Sequence, residues 1–362
     1  MTQVYTGQPS GGSCVTDPLP PPHELRTAVP SGAPERVAAA RRAVAEALDA
    51  PDGRLVTIVG PCSVHDAQSM MEYGTRLARL AGELADDLLV VVRAYVEKPR
   101  TCLGWPGLLS DPGLDGAGDV ARGVVEARRL MGFLVDLGLP VACEWLNPTT
   151  PAYLADLVAW GCVGARTVES QPHRQLASGL PMPVGMKNGT SGNTSAAIDA
   201  VRAAAVGHAY VGLDAGGTAA VLRTTGNPYC HVVLRGGADG PNHTEPHVAR
   251  TVAELRAAGL PERLMIDASH GNSGKCHERQ PRVAAEIGAQ IAAGRRAIRG
   301  VLLESFLVPG RQDHRPGAPL RYGQSVTDAC VGWEVTVRMM RALASAVRAR
   351  RAFRVRPRGA SR

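Results

Sequence analysis

The sequence predicts an α/β fold, a closed (β/α)8 barrel with an N-terminal extension and one inserted β-hairpin between its fifth and sixth strands. Three observations lead there. Eight short apolar runs alternate with helix-period segments, which demands parallel pairing through crossovers. Just past each of the eight runs stands a polar or ligand-capable residue, as expected where one rim of a barrel gathers chemistry. No GxGxxG follows the first strand and no P-loop is present, which counts against a doubly wound open sheet, the runner-up.

The elements follow in order. Residues 1–33 are rich in Pro, Gly, Ser and Thr and read as an extended arm. Segment 34–50 places Val37, Ala40, Val44 and Leu48 on one helical face. The alternation then runs strand 55–60, helix 69–84, strand 88–95, helix 120–137, strand 139–144, helix 150–160, strand 163–166 and short helix 173–179. It continues with strand 183–187 and helix 194–205. Segments 209–213 and 219–224 read as a hairpin turning at Gly216-Gly217, an insertion in the rhythm. Strand 231–235, helix 245–258, strand 263–267, helix 281–293, strand 297–304 and a last helix 328–348 complete it. The organisation is therefore arm and helix 1–50, barrel 51–348 and Arg-rich tail 349–362.

Composition narrows the function. The 362 residues are 44% hydrophobic, and no apolar run approaches the roughly 20 residues that span a bilayer. The first residues carry neither a basic n-region nor an apolar core, so no export signal is expected. Eight scattered cysteines form no CxxC pair and no disulfide framework, which suits a reducing cytoplasm. The net charge of +7 is accounted for by the seven Arg of residues 348–362, leaving the rest formally neutral. That tail reads as a solvated end rather than a nucleic-acid arm. Of 40 basic residues only Lys98, Lys187 and Lys275 are lysines. In so Arg-biased a chain, a surviving lysine marks a place where a compact, titratable ammonium is wanted.

The organising stretch is 92–107, VRAYVEKPRTCLGWPG, an apolar strand that breaks into a Gly/Pro loop. Arg93, Lys98, Arg100 and Thr101 stand at the break, where they suit phosphate or carboxylate. Alone, this loop is equally a solvated basic turn; the other strand exits decide. They carry Cys62, Arg93, Glu144, Arg166, Lys187, Arg235, Asp267 with His270, and Glu304. Arg93, Lys98, Arg166, Lys187 and Arg235 form a cationic mouth that needs an anion, with Glu144 to orient it. Cys62, His270 and Glu304, with Asp328 after the last strand, offer a thiolate, an imidazole and two carboxylates to a divalent transition metal.

Eight segments then carry a resemblance: GPCSVHD (60–66), EKPRTCLGWPGLLSDP (97–112), GARTVESQPHRQLASG (164–179), PVGMKNGT (183–190), HVVLRGG (231–237), IDASHGNSGK (266–275), LLESFLVPG (302–310) and YGQSVTDACVGWE (322–334). From residue 55 to 350 the chain resembles the microbial type I 3-deoxy-D-arabino-heptulosonate 7-phosphate (DAHP) synthases. The resemblance implies a transferase that condenses phosphoenolpyruvate with erythrose 4-phosphate at the entry of the shikimate pathway. It needs one divalent metal ion, Mn, Fe, Co or Zn, and implies a homodimer or homotetramer. It assigns Cys62, His270, Glu304 and Asp328 to the metal, and Arg93, Lys98, Glu144, Arg166, Lys187 and Arg235 to phosphoenolpyruvate. Arg100 and Thr101, with Asp328, go to the aldose phosphate. Catalytic work falls to Lys98, between the two anions and tuned by desolvation to donate a proton, and to Glu144 or His270 on the water. The alternative is the same chemistry on a modified aldose phosphate, such as an amino analogue. The chain departs from the family at the effector region: Pro181 replaces a usual Ser, and the hairpin VGLDAGGTAAV lacks the usual Lys and aromatics. Weak or absent aromatic feedback is the expectation, as in a copy serving secondary metabolism.

Overall fold

A period of two along each strand separates a lumen face from a helix-facing surface, and eight strands doing so in register close a barrel. The structure, a computed structural model, describes residues 17–30, 34–51, 53–315 and 317–355. Helices α1 (Pro22–Ala28) and α2 (Pro34–Asp49) come first. Then follow β1 (Leu55–Gly60), α3 (Ala67–Glu83), β2 (Leu88–Arg93), α4 (Val120–Asp136), β3 (Val141–Glu144), α5 (Thr150–Leu154) and β4 (Trp160–Val163). Next are α6 (Gln171–Gly179), β5 (Val184–Lys187), α7 (Ser195–Ala204), the pair β6 (Ala209–Leu213) and β7 (Ala219–Arg223), β8 (His231–Leu234) and α8 (Glu245–Ala257). The chain ends with β9 (Leu264–Asp267), α9 (Gln280–Ala292), β10 (Ile298–Glu304), β11 (Val308–Arg311), β12 (Gln324–Ser325) and α10 (Trp333–Val355).

The barrel closes in the order β1-β10-β9-β8-β5-β4-β3-β2, every neighbour parallel. The antiparallel β6–β7 hairpin stands outside it, as expected. Val56, Ile58, Leu89, Val91, Trp160 and Met265 fill the lumen, and α2 adds Val44, Ala47 and Leu48 to the same cluster. The alternate residues Leu55, Val59, Leu88, Val90 and Val92 belong to the separate cluster that faces the helices. Each such aliphatic side chain contributes about 1.5–3 kcal/mol relative to exposure. Asp66 caps α3, accepting from the Gln68 and Ser69 amides at 3.3 and 2.8 Å.

Four expectations are corrected. The arm is not extended throughout: α1 forms with proline in its first turn, Glu24 beside it and Leu25 buried. It has only 7 residues, too few to show a period. The fourth strand lies at Trp160–Val163, not 163–166, and the helix before it stops at Leu154 with a 3-10 turn over Ala155–Leu157. Trp160 fits the helical spacing in sequence, yet its indole belongs to the lumen. The last helix starts at Trp333, not 328, because Cys330 is first bonded in both directions to Gly310. It then runs on to Val355, into the stretch read as tail. There Arg348 and Arg351 pair with Asp87, and Arg350 donates to the Gly53 carbonyl at 2.8 Å. Residues 1–16 of the arm and 356–362 of the tail lie outside the described residues. Among the described residues no helix is long and apolar enough to cross a membrane.

Candidate active site

The period that fills the lumen also builds the site. Two residues beyond lumen-facing Val91, Ala142, Val233, Met265 and Leu302 come Arg93, Glu144, Arg235, Asp267 and Glu304, and Lys187 ends β5 likewise. A charged ring therefore crowns the apolar lumen at the C-terminal ends of the strands. Gly60 makes room for it, since a β-carbon there would stand 2.5 Å from the Arg93 carbonyl oxygen.

Sulfur and oxygen ligand atoms of Cys62, Glu304 and Asp328 lie within 4.8 Å of one another. His270 stands beside this trio rather than inside it: Nε2 is 3.5 Å from Glu304 Oε1 and Nδ1 is 2.8 Å from Asp267 Oδ2. Its backbone φ of +41° is a strained left-handed conformation that helps aim the ring. Gln280 fixes Glu304, donating to its carbonyl at 3.0 Å and accepting from its amide at 2.7 Å. The Lys98 ammonium lies 2.7 Å from Cys62 Sγ and 3.1 Å from Asp328 Oδ2. A positive charge is thus already seated on two of the candidate metal-binding atoms. Burial, with Glu304 and Asp328 nearby, pushes the Cys62 thiol up to about 11. A divalent ion would reverse that, and the soft thiolate with carboxylates and an imidazole fits a transition metal.

Lys98 corrects an expectation. Burial alone would lower its pKa, but Cys62, Asp328 and Glu304 outweigh burial and hold it above the ordinary lysine value. The shift runs opposite to the one desolvation alone would give, and the ammonium stands charged beside those groups.

Arg93 is also less free than a surface fork. Its Nε donates to the Pro61 carbonyl at 3.0 Å, and Nη2 to the Cys62 carbonyl at 3.0 Å and Glu304 Oε1 at 3.1 Å. The guanidinium sits over the Tyr95 ring at 3.7 Å. Only Nη1 is buried without a partner among the described residues. A buried charged donor left open is costly unless a ligand oxygen meets it. Lys187 Nζ is 3.2 Å from Asp267 Oδ2, and Arg166 Nη2 donates to Thr101 Oγ1 at 2.6 Å. Asn188 takes the Arg235 amide on its Oδ1 at 2.7 Å, which ties the two neighbouring strand ends together. The Glu144 carboxylate has no ion-pair partner among the described residues, and Gly164 leaves space for it: a β-carbon there would be 2.1 Å from Oε1. These groups line a cavity of about 340 Å³ with seven Lys or Arg side chains against two carboxylates. Such an excess is stable only with an anion to balance it.

The loop that carries Lys98 is anchored by Glu97. Lys98 N donates to the Pro106 carbonyl at 2.8 Å, and Gly107, with φ +114°, lies so close that a β-carbon would be 2.4 Å from the Val96 oxygen. Burial raises the Glu97 carboxyl from 4.5 to about 7, against lowering bonds from the Leu146 and Asn147 backbone and Thr150. A carboxyl raised on folding stabilises fully below its unfolded value of 4.5, and that contribution is lost as pH rises through about 7. Glu97→Gln, with nothing to ionise, should therefore gain about 3 kcal/mol on the native protein between acid and pH 8. Urea midpoints of both proteins at each end of that window check it; parallel pH profiles would refute it.

Ten of the twelve residues assigned from sequence line this one cavity: Arg93, Lys98, Arg100, Thr101, Glu144, Arg166, Lys187, Arg235, His270 and Asp328. Cys62 and Glu304 stand just behind, touching Lys98 and Arg93. Lys275 lines the cavity too, so all three lysines of the chain do. Sequence reasoning flagged it by lysine scarcity but gave it no role. It also left Asp267 unassigned, and it had no signal for Asn188, Gln280 or Glu97.

The description "DAHP synthetase I family" belongs to the family model that matches residues 39–341. The chain is 49% identical over 335 residues to "Phospho-2-dehydro-3-deoxyheptonate aldolase, Phe-sensitive" of Escherichia coli K12, covering 92% of this chain and 95% of that one. It is 48% identical over 343 residues to the "Phospho-2-dehydro-3-deoxyheptonate aldolase" of Corynebacterium glutamicum, covering 92% and 93%. The structure of the enzyme of that name from Francisella tularensis SCHU S4 superposes with a TM-score of 0.91 at 43% identity, over 94% of this chain and 100% of that one.

Proposed function

This chain belongs to the DAHP synthetase I family, and we propose that its barrel mouth joins phosphoenolpyruvate, erythrose 4-phosphate and water into DAHP and inorganic phosphate. The observation that carries this is the abutment of the Cys62–Glu304–Asp328 cluster on a cavity with seven cations. The relatives are named for a seven-carbon product without an amino group, so the unmodified aldose phosphate is the reading kept.

The residues divide the work by charge. Arg166, Lys187 and Arg235 hold the phosphate of phosphoenolpyruvate, and the open Nη1 of Arg93, with Lys98, takes its carboxylate. Arg100 and Thr101 bind the far phosphate of the aldose, and the Arg166–Thr101 bond couples the two sites. When bound, one divalent ion (Mn, Fe, Co or Zn) on Cys62, His270, Glu304 and Asp328 supplies Lewis acidity towards an aldehyde oxygen. C3 of phosphoenolpyruvate attacks the aldehyde carbon, water adds at C2, and phosphate departs by C–O cleavage. Glu144, unpaired and facing the cavity, is assigned the proton of that water. His270 is assigned a ligand role, its Nδ1 being held by Asp267. Holding two mutually repelling anions side by side accounts for most of the acceleration. A phosphate-release assay tests the reading: release should need both substrates and stop with chelator. Release from phosphoenolpyruvate alone, or indifference to chelator, would refute it.

Weak aromatic feedback belongs to the same proposal. His23 of α1 bonds the Ala215 carbonyl through N at 3.1 Å and Nδ1 at 2.9 Å, so the first helix already docks on a hairpin turn of small residues. Phe, Tyr and Trp are each expected to leave the initial rate unchanged at sub-millimolar concentration; strong inhibition by any one overturns this. A homodimer or homotetramer is supported by the cross-strand pair Val211 and Val221, 79% and 66% exposed on the hairpin. Light scattering checks it. The cytoplasmic reading is supported by seven free cysteines among the described residues.

A further inference from the structure

We propose a second phosphate-binding site, in a cavity of about 810 Å³ that adjoins the catalytic one and shares Arg166, Arg235 and Lys275 with it. This rests on the reading that the catalytic cavity takes phosphoenolpyruvate. Five Lys or Arg side chains line the second cavity: the shared three, Arg279 and Arg282. Its single acid, Glu286, is already engaged, accepting from His243 Nε2 at 2.7 Å and from Arg282 Nε at 2.9 Å. Arg282 and Glu286 therefore neutralise each other. Lys275 acts on Asp328 across the catalytic cavity without a direct ion pair, and Arg279 has no ion-pair partner among the described residues. Arg166 and Arg235 bond only neutral groups there, Thr101 Oγ1 and the Gly236 carbonyl.

The backbone aims the two unpaired cations at one space. Gly274 and Lys275 are consecutive left-handed residues, with φ of +61° and +60°. The Lys275 amide is fixed on the His270 carbonyl at 2.6 Å. Arg279 Nη1 lies 3.4 Å from where a Gly274 β-carbon would be, so the guanidinium leans back over that bend. Four cations with no direct ion-pair partner among the described residues stand around one concavity, and a compact dianion would relieve their repulsion. A phosphate group matches in charge and in acceptor count. The reaction gives it two sources: the inorganic phosphate released beside Arg166 and Arg235, or the phosphate of an incoming substrate.

The test is calorimetric titration of inorganic phosphate into the full-length, metal-loaded protein already saturated with phosphoenolpyruvate. Two further phosphates should bind to the wild type, one at Arg100 and Thr101 and one in this cavity, and Arg279→Glu should weaken only the second, about tenfold or more. Arg279→Gln should fall between, with unchanged thermal melting as the control for folding. Transient kinetics separate the sources. Slower phosphate release in Arg279→Glu at unchanged KM identifies the departing product. A raised KM for phosphoenolpyruvate at unchanged release identifies the arriving substrate. Uptake of no more than one phosphate by the phosphoenolpyruvate-saturated wild type, or the same two affinities in Arg279→Glu, overturns the site. Failure of phosphoenolpyruvate itself to bind would instead refute the functional reading. Phosphate alone would then decide this site, with three bound in the wild type and two in Arg279→Glu expected.

Discussion

Lys187→Met is expected to lower kcat/KM for phosphoenolpyruvate by about 10³-fold or more, with the fold intact. Lys187 is buried, its ammonium lies 3.2 Å from Asp267 Oδ2, and it faces the cavity shared by Arg166 and Arg235. Met keeps the stem and removes the charge, so the loss reads on the phosphate and not on packing. Removing one partner of a buried ion pair usually costs several kcal/mol. Here Asp267 keeps His270 Nδ1 at 2.8 Å, and its Oδ1 keeps the Ser269 amide and hydroxyl at 2.9 and 2.5 Å. The stability cost should therefore be smaller than the catalytic one, and near-UV circular dichroism with a thermal melt separates them. Lys187→Arg should not rescue turnover, because Lys187 is buried and the Arg93 guanidinium already covers the neighbouring Tyr95 ring at 3.7 Å, so a second, larger fork lacks room. A folded Lys187→Met enzyme with the wild-type kcat/KM would remove Lys187 from the site.

What could be read in the sequence was whatever depends on local period. Inward phase carries from Leu89 and Val91 to Arg93, and from Met265 to Asp267, so the charged ring is written along each strand by itself. What could not be read depends on partners far along the chain. Gln280 grips the Glu304 backbone 24 residues away, and Asn188 grips the Arg235 amide 47 residues away. An amide in a sequence does not announce such a contact. The sign of the Lys98 shift failed for the same reason. Desolvation was foreseeable from an apolar strand end, but the opposing charges come from Cys62, Glu304 and Asp328, which only barrel closure brings near. Trp160 shows the reverse failure: helical spacing and a four-residue strand are both compatible with it, and only pairing with Ala142 decides.

Cys62→Ala should lose stoichiometric metal, with affinity falling at least about 100-fold, and turnover should fall with it. The neighbouring cysteine supplies the control. Cys330 is also buried and its sulfur accepts from the Cys62 amide at 3.4 Å, yet it is not in the cluster formed by Cys62, Glu304 and Asp328. Cys330→Ala should therefore keep its metal, and a packing explanation would have both variants lose it. A second signature comes from the proton. With the free thiol pushed up to about 11, binding an ion there must expel a proton. Wild-type affinity should therefore climb by about tenfold per pH unit through the neutral range, and the slope should flatten in Cys62→Ala, which has no thiol proton to lose. Metal analysis after dialysis against a competing chelator at two pH values measures both. Stoichiometric metal in Cys62→Ala, or the same pH slope in both proteins, would mean that the sulfur is not a ligand.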